Sequence, residues 1–250
     1  MKKPLMYTAF LFTLLSPALA MASCKDAGDS HAMHEYAGDI GGKYKIQLTL
    51  VFKGDAVQGE YFYLSQLKDI PLRAVAGNGH RDRNSLVLEE RNADGEVAAT
   101  FTGALSADCA RFDGAWQKTG SADKLPYSLK QIDGSGGELG HRYFTAGAES
   151  DKVVHANAYK FWLGVKNGDK KAVTAVLAYP VRAQIAGKKT TFRNASQFSA
   201  SYDAIFTPAY RKAIVDSVPH NMGSSWRGIM LGEKGEVWLN HLGQPFALNN

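Results

Sequence analysis

The chain lacks the signatures that most often name an enzyme. It has no Gly-x-Ser-x-Gly elbow and no Ser-x-x-Lys pair in a penicillin-binding-type setting. It has no glycine-rich phosphate loop, and neither of its two cysteines stands beside a histidine. Ready-made nucleophiles and nucleotide cradles are therefore excluded as starting points. Basic blocks are missing too. The formal charge is +5, but lysines and arginines are scattered among acids and no run of five like charges occurs. Nucleic acid is not an expected partner, because no electrostatic footprint for a polyanion stands out. After the first twenty residues no apolar run approaches the 18 or so needed to cross a bilayer, so no transmembrane helix is expected. No cofactor and no metal are expected either.

What is present begins at the N-terminus. Lys2 and Lys3 precede an apolar stretch over residues 5–15, and Ala18-Leu19-Ala20 supplies a small-x-small cleavage signal. That is the layout of a secretory signal peptide, assigned to residues 1–22, and it places the remaining chain in the periplasm of a Gram-negative-type cell. ATP and nicotinamide cofactors become remote, and the mature charge falls to about +3 once Lys2 and Lys3 leave. In an exported protein Cys24 and Cys109 are expected to form one disulfide, closing a loop of roughly 85 residues worth about 2–4 kcal/mol. Met21-Ala22-Ser23-Cys24 also resembles a lipobox, so a lipid anchor at Cys24 is the competing expectation; an acylated Cys24 cannot bridge Cys109.

Residues 34–132 have the grammar of strands. Tyr44, Ile46, Leu48 and Leu50 alternate with Lys45, Gln47 and Thr49, a period of two. Further extended segments over 57–63, 70–75, 85–90, 97–105, 111–117 and 125–129 are separated by turn signals such as Asn78-Gly79, Asp94-Gly95 and Gly120-Ser121. The spacing predicts an antiparallel meander or small barrel. Gly38, Gly59, Gly103 and Gly114 each sit in an apolar-x-Gly-x-apolar frame. Glycine inside a strand marks a bend or close backbone approach, and four matching bends suit a closing sheet. The glycine-rich stretch 133–150 reads as a linker, with Tyr143 and Phe144 able to dock on a neighbour.

Residues 151–250 change to helical grammar. Val154, Ala158, Phe161, Trp162 and Val165 recur at helical spacing up to Gly168-Asp169, and a short helix over 172–177 follows. A hairpin spans 181–192. Asn194 or Ser196 caps a third helix carrying Phe198, Tyr202, Ile205 and Phe206, and Thr207-Pro208 opens a fourth. Strands over 226–231, 236–240 and 245–248 close the chain. This is an α+β arrangement, so the whole is expected to be an N-terminal β domain followed by an α+β domain.

The residues Tyr179-Pro180, the run Tyr202-Asp203-Ala204-Ile205-Phe206-Thr207-Pro208, and Gly228-Ile229-Met230-Leu231-Gly232 with Glu236-Val237-Trp238-Leu239-Asn240 resemble the NTF2-like cone fold, most closely its exported bacterial members. The resemblance covers about 100 residues. It implies that Trp162, Tyr179, Phe206, Trp226, Met230 and Trp238 converge on the concave side of a cup, with Asn240 near its end, either as core or as a pocket for an apolar ligand. It also allows an isomerase- or hydrolase-like enzyme with Asp203 as base and His155 as its partner. The favoured expectation is non-enzymatic binding of an envelope protein, in the manner of an inhibitor or immunity protein, or of a small apolar ligand. His31-x-x-His34-Glu35 has ligand-type residues close together, but in a Gly/Asp/Ser-rich leader it reads as a segment without a metal site. The polar run containing His80 and Asp82 reads as a loop.

Overall fold

The structure is a computed structural model describing residues 32–53, 56–75, 84–185 and 187–250. The signal segment, Cys24, His31 and the His80–Asp82 loop lie outside the described residues. Cys109 is not a free thiol.

Eight antiparallel strands close a barrel in sequence order: β1 (Ala32–Ile40), β2 (Tyr44–Lys53), β3 (Ala56–Tyr63), β4 (Ile70–Ala74), β5 (Ser85–Arg91), β6 (Val97–Leu105), β7 (Arg111–Lys118) and β8 (Lys124–Gly136), with β8 returning to pair with β1. Alternation decides which side chains go inside. Tyr36, Leu48, Leu50, Tyr61, Leu88, Phe101, Phe112, Tyr127 and Leu129 form one buried cluster in the interior. Aromatic rings fill it: Phe101 contacts Tyr61 and Tyr127 at centroid distances of 5.1 and 5.4 Å. The interior is a packed core.

The glycine pattern has a steric cause. Gly103 and Gly114 face each other across β6 and β7. A Cβ on Gly103 would land on the Tyr127 hydroxyl and the Asp113 carbonyl, and one on Gly114 would strike the Thr102 carbonyl. Gly59 is similarly pressed against the carbonyl of Thr49, and Gly38 against that of Ser128. Neighbouring backbone already occupies the space along this row. Gly114→Ala is expected to lower stability by about 1–3 kcal/mol through overpacking. Gly136→Ala, where a Cβ meets nothing within 4 Å, should be neutral within about 0.5 kcal/mol. Urea unfolding of the two variants checks the contrast.

The rest of the chain builds a second buried cluster, from Tyr143 to Leu248. Helix α1 (Asp151–Asn167) ends on left-handed Gly168, and α2 (Lys170–Val176) is capped by the Asp169 side chain. The hairpin β9 (Val181–Ile185) and β10 (Lys188–Phe192) follows. Asn194 caps α3 (Ala195–Ala200), which breaks at Ser201 before α4 (Tyr202–Ile205), so the expected third helix is two short ones. Thr207 caps α5 (Pro208–Asp216) with Pro208 in its first turn. Four short strands finish the chain: β11 (Gly223–Ser225), β12 (Gly228–Leu231), β13 (Val237–Leu239) and β14 (Pro245–Leu248). The six strands form a sheet in the order β10-β9-β14-β13-β12-β11, parallel only where β14 meets β9. Ile229, Leu231, Val237 and Leu239 are fully buried in the same cluster as Phe161, Phe198 and Phe206.

The stretch 133–150 is not a free tether. Its first residues extend β8 to Gly136, and Arg142 and Tyr143 are buried.

Candidate functional site

The outer wall of the barrel carries the chemistry. Glu35, Thr49 and Glu60 lie side by side across β1, β2 and β3, on the face opposite the barrel core. Outward residues of a barrel normally meet water. Here Met33, Glu35, Thr49, Val51 and Phe62 are buried, because the second part of the molecule covers them.

Arg142 enters this row. Its side chain is 2% exposed. Nη1 donates to Glu35, and Nη2 donates to Thr49 Oγ1 at 3.2 Å and to Glu60 Oε1 at 3.3 Å. Asp151, in the first turn of α1, holds the base of the same arginine. Its carboxylate accepts the Arg142 N–H at 3.0 Å and the Tyr143 N–H at 3.4 Å, and lies 3.8 Å from Arg142 Nε. Three carboxylates thus share one guanidinium. Burial raises the pKa of all three against the pull of Arg142; Glu60, with Asp69 adding repulsion, is pushed up to about 7.

A second group adjoins this one. Asp69, at the end of the β3–β4 turn, accepts from His220 Nε2 at 2.7 Å and lies 3.9 Å from His155 Nδ1. The two imidazoles meet at 3.6 Å between centroids, tilted by 32°, and Phe62 packs on His220 at 4.3 Å. Tyr143 Oη lies 2.9 Å from His155 Nε2 and accepts the Met222 N–H at 3.0 Å. Burial, then the nearby His220 and Arg142, hold the His155 pKa down at about 2, so its ring is neutral. Asp69 keeps 37% of its side-chain surface in solvent, whereas both histidines are buried.

Beside these groups a cleft of about 640 Å³ runs between the barrel wall and the C-terminal part. Its barrel side includes Glu35 and Asp133; the opposite side includes Asp216 at the end of α5, His220, Asn221, Glu233 and Glu236. Lys234 is the one lysine among its lining residues. Asn221 donates to Thr49, while its Oδ1 is buried without a hydrogen-bond partner.

The residues singled out in the sequence are dispersed. His155 is at the centre, but Asp203 is 83% exposed on α4 and bridged to Lys170 at 2.7 Å, so the two are not brought together as acid and base. Phe206 is buried among Phe161, Phe198, Tyr202 and Tyr210. Trp162 donates to the Val215 carbonyl, and Tyr179 to that of Thr174. Met230 and Trp238 pair across β12 and β13, on the face opposite Ile229 and Leu239, and Met230 lines the cleft. Trp226 is 80% exposed. Asn240 spends its side chain on the β13–β14 turn, accepting from Leu242 and Gln244. His34 and Glu35 point to opposite faces of β1: His34 packs edge-on against Phe52, while Glu35 goes to Arg142.

Sequence reasoning missed Asp69, Arg142 and His220. One signal for their setting was present. Leu50-Val51-Phe52 and Tyr61-Phe62-Tyr63 interrupt the alternation, as strands do when both faces are covered. Compared with protein families, with curated proteins and with solved structures, the chain matches none of them.

Proposed function

We propose that the chain is an exported, two-domain, non-enzymatic binding protein that takes a basic segment of another envelope protein into the cleft beside the barrel wall. The observation that carries this reading is the charge of the cleft: five carboxylates, Glu35, Asp133, Asp216, Glu233 and Glu236, against Lys234. Glu35 is paired with Arg142 and Asp216 with Lys212; Asp133, Glu233 and Glu236 against Lys234 leave an excess of negative charge. The C-terminal end of α5 adds the negative pole of its peptide dipoles at Asp216, and the unpartnered Asn221 Oδ1 offers a further acceptor. A small apolar ligand is the weaker reading, since the side chains facing the barrel interior and the inner face of the C-terminal sheet pack against one another. The helix–hairpin–helix–sheet order supports an NTF2-like reading of the second domain. The export signal supports a periplasmic location.

Penta-lysine titrated into the mature protein tests the cleft. It should bind with an affinity that falls as salt rises. The triple substitution Asp133→Asn, Asp216→Asn and Glu233→Gln, all at exposed positions, should weaken it about tenfold or more. Equal binding of penta-lysine and penta-glutamate, or no loss in the triple variant, would refute the reading.

A further inference from the structure

We propose that Asp69, His155 and His220 form a binding site for one zinc-class divalent transition-metal ion, with at least one coordination position left to solvent or to a small ligand.

The donors come from three separate places, the β3–β4 turn, α1 and the α5–β11 loop, and their ligand-type atoms all lie within 4.8 Å of one another. Zinc–nitrogen and zinc–oxygen bonds of about 2.0–2.2 Å in a tetrahedron place neighbouring donors about 3.3 Å apart. Asp69 Oδ1 lies 2.7 Å from His220 Nε2 and Oδ2 lies 3.9 Å from His155 Nδ1, so the two oxygens of one carboxylate each face an imidazole.

The donor chemistry selects the ion. Two imidazoles and one carboxylate suit zinc and its neighbours, whereas magnesium and calcium prefer oxygen cages. A metal needs unprotonated imidazole, so its uptake should weaken in acid. On binding, His220 Nε2 exchanges its hydrogen bond to Asp69 for the ion, and its ring proton resides on Nδ1. Tyr143 orients His155 from behind: its oxygen lies 2.9 Å from Nε2 and has capacity to accept an N–H there when Nδ1 turns to the ion. Three protein donors leave a tetrahedral ion one position short, as in exchangeable rather than closed structural sites. This site does not depend on the peptide reading of the cleft, and the two tests fail separately.

Untagged mature protein, stripped with chelator, is titrated with cobalt(II) and then zinc. One equivalent of cobalt should give visible d–d absorption of a four- or five-coordinate ion, bleached when zinc replaces it, and excess zinc should raise the thermal midpoint. Asp69→Asn keeps the shape of a partly exposed side chain and should weaken zinc roughly tenfold or more; His220→Gln should do the same. Asp203→Asn, on the exposed face of α4, should bind like wild type. Absence of the cobalt band at stoichiometric metal, or wild-type zinc affinity in Asp69→Asn, overturns the proposal. Should His220→Gln fail to fold by circular dichroism, Asp69→Asn decides alone.

Discussion

Arg142→Met will lower the stability of the folded chain at neutral pH by about 3–5 kcal/mol, the usual cost of removing one partner from a buried ionic group. The reason is the imbalance that the arginine hides. Glu35, Glu60 and Asp151 converge on one cation, and without it two buried carboxyl groups and a partly buried one face one another. Methionine fills much of the vacated volume, so the loss reports charge more than cavity. A signature distinguishes this from ordinary core damage: lowering the pH protonates the carboxyls and should return part of the lost stability. Urea unfolding of wild type and variant at two pH values measures both effects. A loss under about 1 kcal/mol, or a deficit that does not shrink in acid, would show that the guanidinium is not what holds the row together.

Arg142 also joins the two buried clusters. It belongs to the segment leading into α1, yet its side chain ends on β1, β2 and β3. Phe62 with His220 and Thr49 with Asn221 repeat the joint with other chemistry. Cutting the arginine should therefore loosen the joint before it unfolds either cluster, and increased proteolysis near residues 133–150 is the expected first sign.

The barrel was legible because its information is local. Each strand alternates, each turn has its glycine or asparagine, and the glycines recur in one frame. The caps at Asn194 and Thr207 were legible for the same reason: a cap bonds three residues ahead. The joint was not legible. Arg142 meets Glu35 across 107 residues and His220 meets Asp69 across 151, and no periodicity records a pairing at that separation. A glycine-rich segment with few apolar residues reads as a linker, yet Arg142 and Tyr143 are buried there because Asp151 pins their backbone nitrogens. The aromatic cup was over-read. Alternation in β12 and β13 sends Ile229, Leu231, Val237 and Leu239 to the core and Met230 and Trp238 to the other face. The helical pattern around Phe198 and Phe206 hides a break at Ser201 that only tertiary packing selects.

The same buried groups set the response to pH, and their signs oppose. Glu60 has a folded pKa near 7 against an ordinary 4.5, because burial disfavours its charge and Asp69 repels it. Its contribution is fully present below pH 4.5 and is lost as pH rises through 7. His155 has a folded value near 2 against an ordinary 6.5, because burial, His220 and Arg142 all disfavour the imidazolium. Its contribution is fully present above pH 6.5 and is lost as pH falls. Between about 4.5 and 6.5 the slopes of these two groups cancel; below that window Glu60 no longer opposes His155, whose protonation lowers stability by up to about 1.4 kcal/mol per pH unit, partly offset by Glu35 and Asp151, whose pKa values are also raised. Glu60→Gln removes one limb while keeping an acceptor for Arg142 Nη2. The variant should gain about 2 kcal/mol at pH 8 relative to its value at pH 5, a gain absent from wild type. His155→Gln removes the other limb and leaves Glu60 unopposed, so that variant should gain about 3 kcal/mol as pH falls from 7 to 4.5 and level off in acid. Chemical denaturation across pH 4–8 separates the three curves. A wild-type profile that rises steadily from pH 5 to pH 8 would mean that Glu60 is ionised throughout, and the repulsion assigned to the row on the barrel wall would have to be withdrawn.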